Sequence, residues 1–164
     1  MKTLSKKYFP KLRDIQEAAK RLNGIIENTP LNKSMTYSNK YGATILLKRE
    51  DLQNVRSYKI RGAYNKIASL SKHQKQKGIV CASAGNHAQG VAFSCEKENI
   101  HGTIFMPTTT PKQKIEKVKW FGGSNVTLKL VGDTFDDAKK EAINYSNTSY
   151  RTFIHPFDDP QIIE

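Results

Sequence analysis

Two short stretches of this 164-residue sequence gather residue types able to do chemistry. The first is Ser83-Ala84-Gly85-Asn86-His87. Small residues entering a helix leave free backbone N–H groups and the positive end of the helix dipole at one point. Gly85 permits close approach to the backbone, while Ser83, Asn86 and His87 add donors around it. Such a place suits a carboxylate or a phosphate. It equally suits an ordinary helix cap, and a strand, glycine turn and helix do not by themselves separate the two. The second stretch is Arg56-Ser57-Tyr58-Lys59-Ile60-Arg61-Gly62-Ala63. Lys59 stands where a helix should begin, with Arg61 close by. An amine near a helix N-terminus and other cations is disfavoured as ammonium, which frees it to condense with an aldehyde. By physics alone, the stronger reading is that Lys59 is one surface lysine among many.

Both stretches need a frame to hold them, and the hydrophobic pattern supplies one. Leu12, Ile15, Ala19 and Leu22 recur at helical spacing, and Asn23-Gly24 stops that helix. Residues 43–48 read as a strand, and Ile60, Ala63, Tyr64 and Ile67 mark one face of the helix that starts at Lys59. Three strand-then-helix units follow. Residues 78–82 form a strand that runs through the first stretch into a helix with Ala88, Val91, Ala92 and Cys95 on one face. Residues 103–106 form the next, with Thr110 expected to cap a helix opened by Pro111 and closed by Gly122-Gly123. Val126, Leu128 and Leu130 alternate with polar residues, as in a half-exposed edge strand. Asp133 or Thr134 should cap the last clear helix, with Phe135, Ala138 and Ala142 buried and Asp136 and Asp137 in its first turn. Alternating strands and helices imply a doubly wound α/β fold around a parallel sheet. Ligands in such sheets bind beyond the carboxyl ends of the strands, which is where both stretches fall. Residues 153–156 resemble one more strand and turn, and Ile162-Ile163-Glu164 a helix cut short with nothing capping it.

Composition narrows the function classes. With 27 Lys+Arg against 15 Asp+Glu the formal net charge is +12, which favours small anionic ligands over cationic ones. Six arginines at positions 13, 21, 49, 56, 61 and 151 are few for a nucleic-acid face, and the lysines read as solvated helix surfaces. A non-enzymatic basic α/β module binding anions or nucleic acid is the competing reading from another class. No apolar run approaches the ~20 residues of a membrane span, and the basic start has no apolar core of a signal peptide. Cys81 and Cys95 make no disulfide framework, no metal-ligand cluster stands out, and a cytoplasmic location is expected.

Longer strings carry a resemblance. Lys48-Arg49-Glu50-Asp51-Leu52-Gln53, Ser57-Tyr58-Lys59-Ile60-Arg61-Gly62-Ala63 and the eleven residues from Ala82 to Ala92 resemble the biosynthetic threonine dehydratases (threonine ammonia-lyases). These belong to the fold-type II pyridoxal-phosphate enzymes. Thr29-Pro30-Leu31, Met106-Pro107 and His155-Pro156-Phe157-Asp158 match further landmarks, so the resemblance covers nearly the whole chain in order. Tyr58 and His87 set it apart from the cysteine synthases, whereas catabolic threonine/serine dehydratases and serine racemases share these motifs.

The resemblance implies roles and an architecture. Lys59 matches the lysine that binds pyridoxal 5'-phosphate covalently and then serves as base, and Asn86 matches the asparagine bonded to the cofactor's ring oxygen. Ser83, Ala84, Gly85, Asn86 and His87 fall in the loop that receives the substrate carboxylate, and Tyr58 replaces a phenylalanine packed near the cofactor. The implied reaction converts L-threonine to 2-oxobutanoate and ammonia, the first step of isoleucine biosynthesis, and L-serine to pyruvate. In this frame residues 1–52 begin a larger lobe, residues 53–150 form a smaller one, and residues 151–164 start the return. The family's phosphate-cradling glycine loop, its pyridine-nitrogen partner and its regulatory domain have no counterpart here. The expectation is a truncated chain, inactive or nearly so alone, with apolar surface exposed, and a full-length enzyme that is a homo-oligomer.

Overall fold

The computed structural model describes residues 8–164; residues 1–7, most of the basic start, lie outside the described residues. Helix α1 (Leu12–Leu22) leads into an irregular stretch and then strand β1 (Leu31–Lys33). Helix α2 (Met35–Tyr41) separates β1 from β2 (Leu46–Lys48), and the two strands pair antiparallel with Leu31 opposite Lys48. The strand expected over residues 43–48 is shortened at its start. Gly42 adopts φ 61° to close α2, and the Ala43 N–H donates back to the Ser38 carbonyl, which takes both residues out of extended geometry.

The rest of the chain builds the expected parallel sheet. A 3₁₀ turn (Glu50–Leu52) precedes α3 (Lys59–Ala68), the short α4 (Lys72–Lys77), β3 (Ile79–Ala82) and α5 (Asn86–Glu98). Then come β4 (Gly102–Met106), α6 (Lys112–Gly122), β5 (Val126–Leu130), α7 (Phe135–Ser149), β6 (Thr152–Phe153) and α8 (Pro160–Ile163). All pairings are parallel in the order β5-β4-β3-β6. Central strands β3 and β4 are buried throughout, whereas β5 is the half-exposed edge its alternation predicts.

Alternation along the strands divides the core between two layers. Ile79, Cys81, Ile104 and Met106 pack with Ala63 and Ile67 of α3, Val91 and Cys95 of α5, and Val118 of α6. Val80, Ala82 and Phe105 point the other way, onto Ala138 and Ala142 of α7. Helices therefore cover both faces, as a doubly wound sheet requires. Helix α5 is enclosed on every side from His87 to Cys95, which makes it the axis of the helical layer.

Three local expectations are corrected. Thr110 does not cap α6: its hydroxyl donates to the Pro107 carbonyl at 2.7 Å, and Pro111 takes the cap position without a side-chain bond. Phe135 is 40% exposed, because α7 meets the sheet only from Ala138 onward. Helix α8 is capped after all, since Asp159 accepts the Gln161 N–H at 3.0 Å and Pro160 follows at the first helical position. Thr134, not Asp133, caps α7, in a reciprocal box with Asp137.

Candidate active site

Lys59 opens α3, and its position is fixed from several directions. Ahead of it, Val55 and Ser57 are buried, while the intervening Arg56 takes φ 59°, a left-handed turn that swings the chain into the helix. Behind it, Gly90 of α5 lies so close that a β-carbon there would sit 3.1 Å from the Lys59 carbonyl oxygen. Gly62 plays the same part toward α8, where a β-carbon would meet the Ile162 carbonyl at 2.6 Å. Both glycines let backbone pack on backbone around the first turn of α3.

Charge anchors the helix as well. Arg61 grips Glu50 with two parallel bonds, Nε to Oε2 at 2.8 Å and Nη2 to Oε1 at 2.7 Å. The Thr29 hydroxyl donates to the same carboxylate at 2.6 Å, and Gln53 adds a longer bond at 3.3 Å. With Arg61 as the largest cause and Thr29 next among the stabilising contacts, the Glu50 carboxyl is held down at about 2. Gln53 also exchanges two bonds with the Glu27 backbone, at 2.9 and 3.0 Å. The strings around Thr29, Glu50 and Arg61 thus meet in one network that ties the N-terminal elements to α3.

The Lys59 amine does not face open water. Its Nζ donates to the Pro156 carbonyl at 2.7 Å and sits 4.2 Å from the centre of the Phe157 ring. The Tyr58 ring lies 5.4 Å from the same nitrogen, although Tyr58 itself is 59% exposed. These groups border a cavity of about 400 Å³ that Lys59 and Tyr58 share with His87, Pro156, Phe157 and Ile162.

His87 is buried in the first turn of α5. Its Nε2 lies 3.3 Å from the Ile154 carbonyl, which can only accept, so Nε2 carries the proton. Nδ1 is then a bare acceptor, buried and without a partner among the described residues. Burial, more than the nearby Lys59 charge, pushes the imidazole down to about 4.

The structure brings Lys59, Tyr58 and His87 to one cavity. Ser83, Ala84, Gly85 and Asn86 lie on the loop and helix start that lead to His87 from the carboxyl end of β3, outside the residues lining it. Ser83 and Gly85 are half-buried, with the Ser83 hydroxyl accepting the Gly85 N–H at 3.2 Å, and Asn86 is exposed. Sequence reasoning gave no role to Pro156, Phe157 or Gly90. Their signal was present only as motif strings, because a contact across 97 residues has no local period. Ser57, whose hydroxyl is buried and unpartnered among the described residues, carried no signal of its own.

Comparisons with known proteins agree with this layout. The sequence is 52% identical to the biosynthetic L-threonine dehydratase of Lactococcus lactis over 151 residues, covering 92% of this chain and 36% of that protein. It is 54% identical to the Staphylococcus epidermidis counterpart over 147 residues, covering 90% and 35%. The chain thus spans about a third of the length of the curated relatives it matches. Among solved structures, the processed form of threonine deaminase isoform 2 from Solanum lycopersicum superposes with a TM-score of 0.83 at 40% identity, over 92% of this chain and 43% of that one. Maize serine racemase gives 0.87 at 29% identity, over 95% and 46%. Residues 22–164 match the family described as pyridoxal-phosphate dependent enzyme, and the chain belongs to that family.

Proposed function

We propose that this chain forms the lysine-bearing part of a threonine dehydratase, which converts L-threonine to 2-oxobutanoate and ammonia, the water lost from Cβ being regained when the resulting imine is hydrolysed, and which converts L-serine to pyruvate and ammonia in the same way. The observation that carries this reading is the Lys59 amine at a cavity shared with a neutral, buried histidine. Identity favours a dehydratase over a racemase, at 40% to the tomato threonine deaminase against 29% to the maize serine racemase.

The residues present fit pyridoxal 5'-phosphate. A half-buried primary amine lies at a cavity with aromatic walls, a buried imidazole offers an unpartnered acceptor, and the +12 surface attracts an anion. When bound, the cofactor supplies an electron sink for the carbanion at the substrate's Cα. The protein's part is to hold and to move protons. Lys59 Nζ would hold the cofactor through its aldehyde, and as a free amine it would take the Cα proton. Asn86 would orient the cofactor ring, and Tyr58 would border it. Residues 83–87, at the start of α5, receive the substrate carboxylate where the helix dipole and free N–H groups favour negative charge. His87 remains uncharged there and so accepts a hydrogen bond without competing as an acid.

Residues 53–150 are assigned to one lobe, with residues 1–52 and 151–164 assigned to its neighbour, and the enzyme is assigned to the cytoplasm. Among the described residues no helix is long and apolar enough to cross a membrane. The test is to mix the chain with one equivalent of pyridoxal 5'-phosphate, reduce with borohydride and map the product by mass spectrometry. The expected result is label on Lys59 that disappears in Lys59→Ala, with threonine turnover by this chain alone at background. Label scattered over surface lysines and unchanged by K59A would overturn the reading.

A further inference from the structure

We infer that the turn formed by residues 155–158 is a resting cradle for the Lys59 amine, and that Phe157 is a positioning residue for it. This rests on the reading of Lys59 as the reacting amine. Two contacts define the cradle: the 2.7 Å bond from Nζ to the Pro156 carbonyl, and the Phe157 ring 4.2 Å from the same nitrogen. A carbonyl oxygen and an aromatic face both attract a positive head group, and neither can take a proton from it.

The turn is built to present these two groups. His155 Nδ1 accepts the backbone N–H of Phe157 at 3.1 Å and of Asp158 at 2.8 Å, which curls the chain so that the Pro156 carbonyl faces α3. The His155 ring is flanked edge-on by Phe153 and Phe157. Beyond the turn, Asp159 caps α8 and pairs with Lys66 at 2.8 Å, while Asn65 donates to the Gln161 carbonyl at 2.8 Å. The cradle is therefore pinned on the same helix that carries Lys59, about two turns farther along.

The consequence is a lysine with two stations. In the cradle the amine is engaged and slow to react; to meet an aldehyde or a Cα proton it must leave the Pro156 oxygen and the Phe157 face. Phe157 is 64% exposed and contributes little to the core, so its ring can be changed without unfolding the chain.

The experiment measures how fast Lys59 is acylated by a small neutral N-hydroxysuccinimide ester in the ligand-free 164-residue chain. Peptide mapping follows Lys59 against the exposed Lys112 as internal reference. Phe157→Ala and Phe157→Leu are expected to speed acylation of Lys59 by about fivefold to tenfold, the factor an ammonium–arene contact supports, while Phe157→Tyr restores the wild-type rate. Rescue by tyrosine but not by leucine separates attraction to a ring from simple coverage. Equal rates in all four proteins, or equal protection by leucine and tyrosine, would overturn the inference. His155→Ala, which loosens the turn but keeps the ring of Phe157, should fall between wild type and F157A; no change there would remove the turn from the cradle. The two readings fail separately. Absence of cofactor trapping at Lys59 with the acylation pattern intact would sink the proposed function alone.

Discussion

At the scale of single residues, His87 is the group whose environment makes the sharpest demand. Burial holds its imidazole at about 4 against an ordinary 6.5. Between those values the unfolded chain binds a proton that the folded chain refuses. Folding stability from this group is complete above about pH 6.5 and drains away as pH falls through 4, by at most about 3 kcal/mol. A ring NMR titration should show His87 still neutral at pH 5.5, a full unit below the ordinary imidazole value. Replacing His87 with Asn should flatten the loss of denaturation midpoint over that same interval. A His87 resonance that titrates near 6.5 would contradict the buried, singly bonded ring.

The Glu50 carboxylate makes the complementary case at lower pH. Its folded value of about 2 lies below the ordinary 4.5, so its stabilisation is present above 4.5 and is lost as pH falls toward 2. Glu50→Gln keeps the shape but leaves Arg61 without its bidentate partner. A cost of about 2 kcal/mol in chemical denaturation is expected, shrinking as the wild type is acidified. Because the residue ties the N-terminal segment to α3, the same variant should raise amide exchange at Thr29 and Gln53.

At the scale of elements, close helix contacts decide what can be substituted. A methyl group at Gly62 would stand 2.6 Å from the Ile162 carbonyl oxygen, which is backbone and cannot rotate aside. Gly62→Ala should therefore displace α8 and cost about 1–3 kcal/mol. Loss of the Lys66–Asp159 pair should accompany it, visible as a weaker effect of Asp159→Asn in the G62A background than in wild type. Equal effects of D159N in both backgrounds would show that α8 stays docked.

The elements themselves were largely legible. Ile60, Ala63, Tyr64 and Ile67 at helical spacing mark the buried face of α3, and the alternation of Val126, Leu128 and Leu130 foretold an edge strand. Less legible was whatever depends on partners far along the chain. Thr110 has the right chemistry and position to cap α6, yet the Pro107 carbonyl three residues back captures its hydroxyl. Leu12 and Ile15 complete a helical stripe in α1, but they are 71% and 44% exposed, and only Ala18 and Leu22 of that helix are buried. Periodicity says which face of a helix is apolar and not whether anything covers it. Likewise Lys59 could be singled out by its position at a helix start, whereas its contacts with Pro156 and Phe157 depend on the return of the chain after β6.

At the scale of the whole molecule, the exposed aliphatic side chains are concentrated ahead of the parallel sheet, whereas the exposed Trp120 and Tyr150 lie beyond its start. Leu12 in α1, Leu31 in β1, Met35 in α2 and Leu46 in β2 are 71%, 57%, 59% and 50% exposed, while β3 and β4 are wholly buried. Large exposed aliphatic groups on every N-terminal element are more than a monomeric surface usually carries. They should bind an uncharged solvatochromic dye such as Nile red with a blue-shifted emission. An anionic dye would mislead, because a chain of net charge +12 attracts it wherever lysines cluster. Leu12→Glu with Leu46→Glu should cut the Nile red signal by about half and leave the denaturation midpoint unchanged, since both side chains already face water. Gln76→Glu with Gln113→Glu adds the same charge at exposed polar positions and should leave both the Nile red signal and the midpoint unchanged. If the control pair lowers the signal as far as the leucine pair does, the dye is reporting charge, and the N-terminal elements are not the apolar surface that their exposure implies.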